Sequence, residues 1–76
     1  MEYNGWTNYE TWNVSLWVEN EEGMYLEMVK NRPFSANSAR EFVESLMPDG
    51  TPDFDDTTGD YDDVNWDEIA ESFNEE

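Results

Sequence analysis

Residues 53–68 read DFDDTTGDYDDVNWDE, and eight of these sixteen residues are acidic with no base among them. Carboxylates at this density can ligate hard cations, act in pairs as general acid and base, or present negative charge to a cationic partner. Each chemistry demands its own spacing. An EF-hand calcium loop needs a glycine at its sixth position and a glutamate at its twelfth. Counted from Asp53, the sixth residue is Thr58 and the twelfth is Val64, so that pattern fails. A looser oxygen site from Asp55, Asp60, Asp62 and Asp63 is the metal alternative. Weak divalent binding by any acid cluster implies no function, and neither a metal nor a cofactor is expected.

Acid–base catalysis by two carboxylates needs a cleft that drives their pKa values apart. A chain of 76 residues offers little room for one, and it has no histidine and no cysteine. The usual general base, the commonest metal ligand and the thiolate nucleophile are therefore all missing. The expectation is that the protein is not an enzyme.

The third chemistry remains. Formal net charge is −17, far beyond the magnitude of about 2–8 that keeps a small domain soluble. Such a body repels nucleic acid and anionic membranes and attracts basic surfaces. The charge is uneven: residues 1–47 hold eight acids and three bases, residues 48–76 twelve acids and no base. A solvated, solubilising loop is the ordinary explanation of such a run. Imitation of a nucleic-acid backbone is the sharper one. Carboxylates one helical turn apart lie about 5–6 Å from each other, a scale comparable to phosphates along a strand. The candidate partner-binding residues are Asp53, Asp55, Asp56, Asp60, Asp62, Asp63, Asp67, Glu68 and Glu71, with Glu19, Glu21 and Glu22 extending the surface. Tyr61, and with it Trp17, is a candidate surface anchor, since Tyr and Trp are favoured at interfaces.

The elements that must position these groups are helical. Thr7 and Glu10 in TNYE fit a capping box that opens a first helix, with Tyr9, Trp12, Leu16, Asn13 and Trp17 following at helical spacing. Alternation of Trp12, Val14, Leu16 and Val18 offers a strand as the rival reading. A second helix is predicted from about Glu21 to Asn31, capped by Asn20, with Met24, Tyr25, Met28 and Val29 as its apolar stripe and Pro33 as its stop. Lys30 and Arg32 suit its negative end. The third begins after Ser35 and gathers Ala39, Phe42, Val43, Leu46 and Met47. Asn65 caps a last helix with Trp66, Ile69, Ala70 and Phe73 inward and Asp67, Glu68 and Glu71 elsewhere. Trp12 and Trp66 are assigned to the core, which a small domain must fill with large side chains. The fold expected is all-α: a bundle of three to four short helices with an acidic loop before the last. It forms one domain over 1–76, divided into a helical core (1–47), the acidic loop (48–63), and a C-terminal helix and tail (64–76).

Residues 4–25, NGWTNYETWNVSLWVENEEGMY, resemble a family of small, acidic, largely uncharacterised proteins encoded by phages, plasmids and some bacterial genomes. The shared features are an N-G-W-T-N-x-E-T-W opening, a short acidic break ending in glycine, and a closing segment like VNWDEIAE, here at 64–71. The resemblance implies a mobile-element setting and supplies no catalytic residues. Together with the charge it leads to an expected function: a DNA-mimic inhibitor that blocks the basic nucleic-acid channel of a host protein. Restriction, CRISPR, repair-nuclease and RNA-polymerase targets all qualify. The alternative is an adaptor that binds proteins through aromatic and apolar contacts, its charge serving solubility. No direct nucleic-acid binding is expected. MEYNGWTNYE has no signal-peptide character and no stretch of about 18 apolar residues occurs, so a cytoplasmic location in the host cell is expected, with no membrane contact. A homodimer would lengthen the acidic surface, though no residue specifies one.

Overall fold

The computed structural model describes residues 3–55 and 58–75. Four α-helices run in order: α1 (Tyr9–Asn20), α2 (Glu22–Lys30), α3 (Ala36–Leu46) and α4 (Trp66–Asn74), with a 3₁₀ turn over Tyr61–Asp63. There is no strand among the described residues, so α1 is a helix and its strand reading is set aside. The all-α expectation holds.

Asn8, rather than Thr7, caps α1. Its Oδ1 accepts from the Thr11 N–H at 2.9 Å and the Thr11 hydroxyl at 2.6 Å, while its amide donates to the Asp63 carbonyl at 2.7 Å. Both residue types can cap, and the asparagine amide N–H, set apart from its accepting oxygen, also ties the helix to a distant loop. Thr7 and Glu10 are thereby released for long-range bonds. The Thr7 N–H donates to Glu68 at 3.0 Å, the Thr7 hydroxyl accepts from the Asn65 amide at 3.1 Å, and Glu10 accepts from the Gly59 N–H at 3.0 Å. Asn65 caps α4 as expected, and its own N–H donates to Thr11 Oγ1 at 2.9 Å. The TNYET and VNWDE segments thus meet, the start of α1 locked to the start of α4.

The buried face of α1 is not its aromatic face. Val14 and Val18 lie in the core beside Thr11, Asn13 and Ser15, all buried. Trp12, assigned to the core from sequence, is only half-buried and packs in a cluster with Tyr3 and Tyr9, ring centroids 4.8–5.7 Å apart. Tyr3 is brought there by the tight turn at Asn4 and Gly5, which have φ of 51° and 88°. Paired backbone bonds between Tyr3 and Trp6 close this turn, a geometry that suits Asn-Gly.

Helix α2 starts one residue late, because α1 continues through Asn20. Glu21 is then the cap, accepting from the Gly23 N–H at 2.9 Å. Of its expected stripe, Met28 is buried and Met24 packs against the core, whereas Tyr25 and Val29, with Leu26 beside them, are exposed. Arg32 does not serve its own helix. It donates to the carbonyls of Phe73 and Glu75 and so closes the C-terminus of α4. The Asn74 amide exchanges bonds of 2.7 and 2.8 Å with the Phe34 backbone, completing this seam.

Ser35 caps α3 in a reciprocal box with Ser38. Ala39 and Val43 on α3 then meet Ile69, Ala70 and Phe73 on α4, and Phe34, Phe42 and Phe73 form a ring cluster at 5.2–6.1 Å. Residues on both sides of the acidic loop therefore build one core.

The molecule measures 33 × 22 × 21 Å, close to the Debye length of about 30 Å at 0.01 M salt. At low ionic strength its charges repel across the whole body. Raising sodium chloride from about 0.01 M to about 0.5 M is expected to raise the melting temperature by several degrees, read by circular dichroism.

Candidate partner-binding surface

The acidic loop is tied down from beneath by its own side chains. Asn13, fully buried on α1, donates to Asp53 Oδ2 at 2.8 Å, and the Trp17 indole donates to the same oxygen at 3.0 Å. The Asn13 carbonyl accepts from the Thr51 hydroxyl, and Thr51 Oγ1 accepts from the Asp53 N–H at 3.2 Å. Trp17 is accordingly a half-buried latch on the loop rather than a free surface anchor. Tyr61 is likewise corrected. It is 7% exposed, its hydroxyl donates to the Met47 carbonyl, and it packs between Phe54 and Trp66, each 5.8 Å away. Burial, then the charges of Glu44 and Asp49, pushes its phenol pKa up to about 12. The aromatics interleaved with acids in the sequence form the floor of the loop, with the acids outside.

The hydrogen bonds from Asn13 and then Trp17 hold the Asp53 carboxyl below its ordinary pKa. A carboxyl depressed in the folded state contributes stability above its unfolded pKa, and this is lost as pH falls through the folded value. Asp53→Asn is therefore expected to remove part of the acid-induced loss of stability below about pH 4, measured by urea unfolding at stepped pH.

The remaining loop acids act mainly as turn formers. Asp55 and Thr58 exchange backbone-to-side-chain bonds of 2.8 and 3.2 Å. Asp60 accepts from the Asp62 N–H at 2.8 Å, and Asp63 accepts from the Asp60 N–H at 3.1 Å. Asp62 receives Arg40 at 2.7 Å, and Arg40 also holds Glu44 at 2.6 Å. These two carboxylates raise the Arg40 pKa, Glu44 first. Gly59 suits the same packing, since a Cβ there would lie 2.1 Å from Asp63 Oδ2 and displace that side chain from its bond to the Asp60 N–H. Asp56 lies outside the described residues.

Six of the candidate acids line two hollows. Asp55, Asp60 and Asp62 line an open hollow of about 450 Å³ with Asp49, Phe54 and Arg40. Glu19, Glu68 and Glu71 line a second of about 380 Å³ with Glu75 and Trp6, where Glu19 accepts from Ser72 at 3.3 Å. Asp49, Glu75, Trp6 and Arg40 are among the lining residues that sequence reasoning missed. Asp49 stood at the start of the acidic loop, and Glu75 in the C-terminal helix and tail. Glu21 is occupied as a cap, while Glu22, Asp67 and Glu71 have no side-chain partner among the described residues. Among those residues no three carboxylates converge as ligands to an ion, including the set Asp55, Asp60, Asp62 and Asp63. No helix is long and apolar enough to cross a membrane.

Fold and surface together define a small all-α domain whose charge is predominantly acidic. The chain matches the family described as a family of unknown function, DUF7249, over residues 1–76, and belongs to it. No curated protein and no solved structure matches the chain.

Proposed function

We propose that this protein is a stoichiometric, non-catalytic inhibitor that imitates the nucleic-acid backbone and occupies the basic channel of a nucleic-acid-binding protein. A phage or other mobile-element origin, with a host restriction, CRISPR, repair or transcription enzyme as target in the host cytoplasm, fits this reading. One observation carries it. Among the described residues, the loop carboxylates of Asp53, Asp55, Asp60, Asp62 and Asp63 are held in place by hydrogen bonds, while the three basic side chains are engaged internally: Lys30 with Glu27, Arg40 with Glu44 and Asp62, Arg32 with helix-end carbonyls. Charge fixed in position loses less entropy on binding than charge on a floppy tail. Electrostatic steering then gives fast association that weakens as salt rises.

The test is the triple substitution Asp60→Asn, Asp62→Asn, Asp63→Asn. Asparagine keeps an oxygen acceptor for the turn while removing the charge. Under mimicry, capture of a nucleic-acid-binding protein from host lysate falls at least about tenfold relative to the parent. Unchanged capture by a variant with an unaltered circular dichroism spectrum would sink the reading.

A further inference from the structure

We infer that the outer face of α2 is a second interaction surface, built to take a cationic amphipathic segment of a protein partner. It goes beyond the mimicry reading, because it requires apolar contact and uses none of the loop acids. Helix α2 commits one buried side chain, Met28, to the core and leaves Tyr25, Leu26 and Val29 at 40%, 52% and 37% exposure. Val29 lies one helical turn from both Tyr25 and Leu26, so the three share one side of the helix. Single exposed hydrophobics are normal, but three side by side on so polar a domain mark a contact site.

The rim selects the occupant. Glu22, one turn before Leu26, has no side-chain partner among the described residues. On the flank, Tyr25 and Met28 border a hollow of about 220 Å³ with Glu19, Glu75 and Arg32. The Arg32 guanidinium is spent on the carbonyls of Phe73 and Glu75, and Lys30 is paired with Glu27 at 3.6 Å. The ridge is thus apolar with a predominantly acidic border. A second copy would bring two such borders together on bodies of charge −17. A stable dimer also needs roughly 800 Å² per subunit, a large share of a total surface of 4768 Å². Anionic lipid is repelled for the same reason. A protein segment with apolar residues on one face and Lys or Arg beside them satisfies both ridge and rim.

The experiment titrates the ¹⁵N-labelled protein with two synthetic peptides of equal length and charge. One is an amphipathic Lys/Leu helix, and in the other every leucine is serine. The Lys/Leu peptide is expected to bind at least about tenfold tighter, since burying a single leucine is worth that much. Its shifts should centre on Tyr25, Leu26 and Val29, and Leu26→Asp or Tyr25→Ser should abolish the difference. Both positions are exposed, so melting temperatures should stay within a few degrees of the parent. The triple loop-acid variant should keep the discrimination, which separates this surface from the mimicry reading. Equal affinity for the two peptides, or shifts confined to the acidic loop, overturns the proposal. So does a sedimenting dimer that Leu26→Asp dissociates, or Leu26-dependent binding to phosphatidylcholine vesicles without peptide discrimination.

Discussion

Phe73→Ala is expected to remove most of the stability of the domain. Phe73 is fully buried at the end of α4 and packs against Phe34 at 5.2 Å and Phe42 at 6.1 Å. Truncating such a ring costs about 3–5 kcal/mol through lost transfer energy and the cavity left behind. Domains are stable by only about 5–15 kcal/mol, and one this short belongs near the lower end. Urea unfolding followed by far-ultraviolet circular dichroism should show the transition moved to very low denaturant or missing. Trp12→Ala supplies the contrast. Trp12 is as large a hydrophobe by sequence, but it sits half-buried in a cluster outside the main core, so its truncation should cost clearly less. Equal losses at the two positions would mean that the core is misassigned.

Asn13→Leu is expected to have the second-largest effect, about 2–3 kcal/mol, even though leucine keeps the branched shape of asparagine. The substitution strips the acceptor from the Thr51 hydroxyl, which is 3% exposed, and one donor from Asp53. A buried O–H donor left without an acceptor costs desolvation energy even while its oxygen still accepts from the Asp53 N–H, whereas the gain from one more apolar side chain is partial. The damage should be local before it is global. Amides at residues 51–55 should exchange faster, and the Trp17 indole resonance should shift as its bond to Asp53 weakens. A stability unchanged within about 0.5 kcal/mol would show that the latch under the loop contributes nothing.

These two positions show what was legible in the sequence. Helices α3 and α4 were readable because cap, period and stop agreed: Ser35 and Asn65 cap as their types suggest, and Ala39, Val43, Ile69 and Phe73 face inward. Helix α1 was readable as a helix but its inner face was not. Size suggested that Trp12 points inward, yet the buried row includes Thr11, Asn13 and Ser15. Their polar atoms are satisfied by residues far along the chain, such as Thr51 and Asn65, and periodicity carries no information about such partners. The same limitation displaced the α1 cap from Thr7 to Asn8, because the choice depends on Asp63 and Asn65. Tyr61 looked like an anchor amid acids, but Met47, Phe54 and Trp66 enclose it. Composition indicated the excess of negative charge. The gathering of six of the candidate acids at two hollows, and the commitment of Asp53, Asp60 and Asp63 to local structure, needed the fold.

The opening and closing motifs also gain a physical reason. Thr7, Asn8, Thr11, Asn65 and Glu68 bond one another or the adjoining backbone across the junction of α1 with α4. Their residue types answer the geometry of that junction, which leaves the outward carboxylates as the groups available to a partner.

The central claim, that this surface stands in for a nucleic-acid backbone, is tested most directly by competition. Tagged protein is incubated with host lysate at low and high salt, with and without excess DNA, and the retained proteins are identified. Mimicry predicts a nucleic-acid-binding protein that is retained at low salt and released both by salt and by DNA. A partner that does not bind nucleic acid, or one that stays bound through high salt and excess DNA, would contradict it.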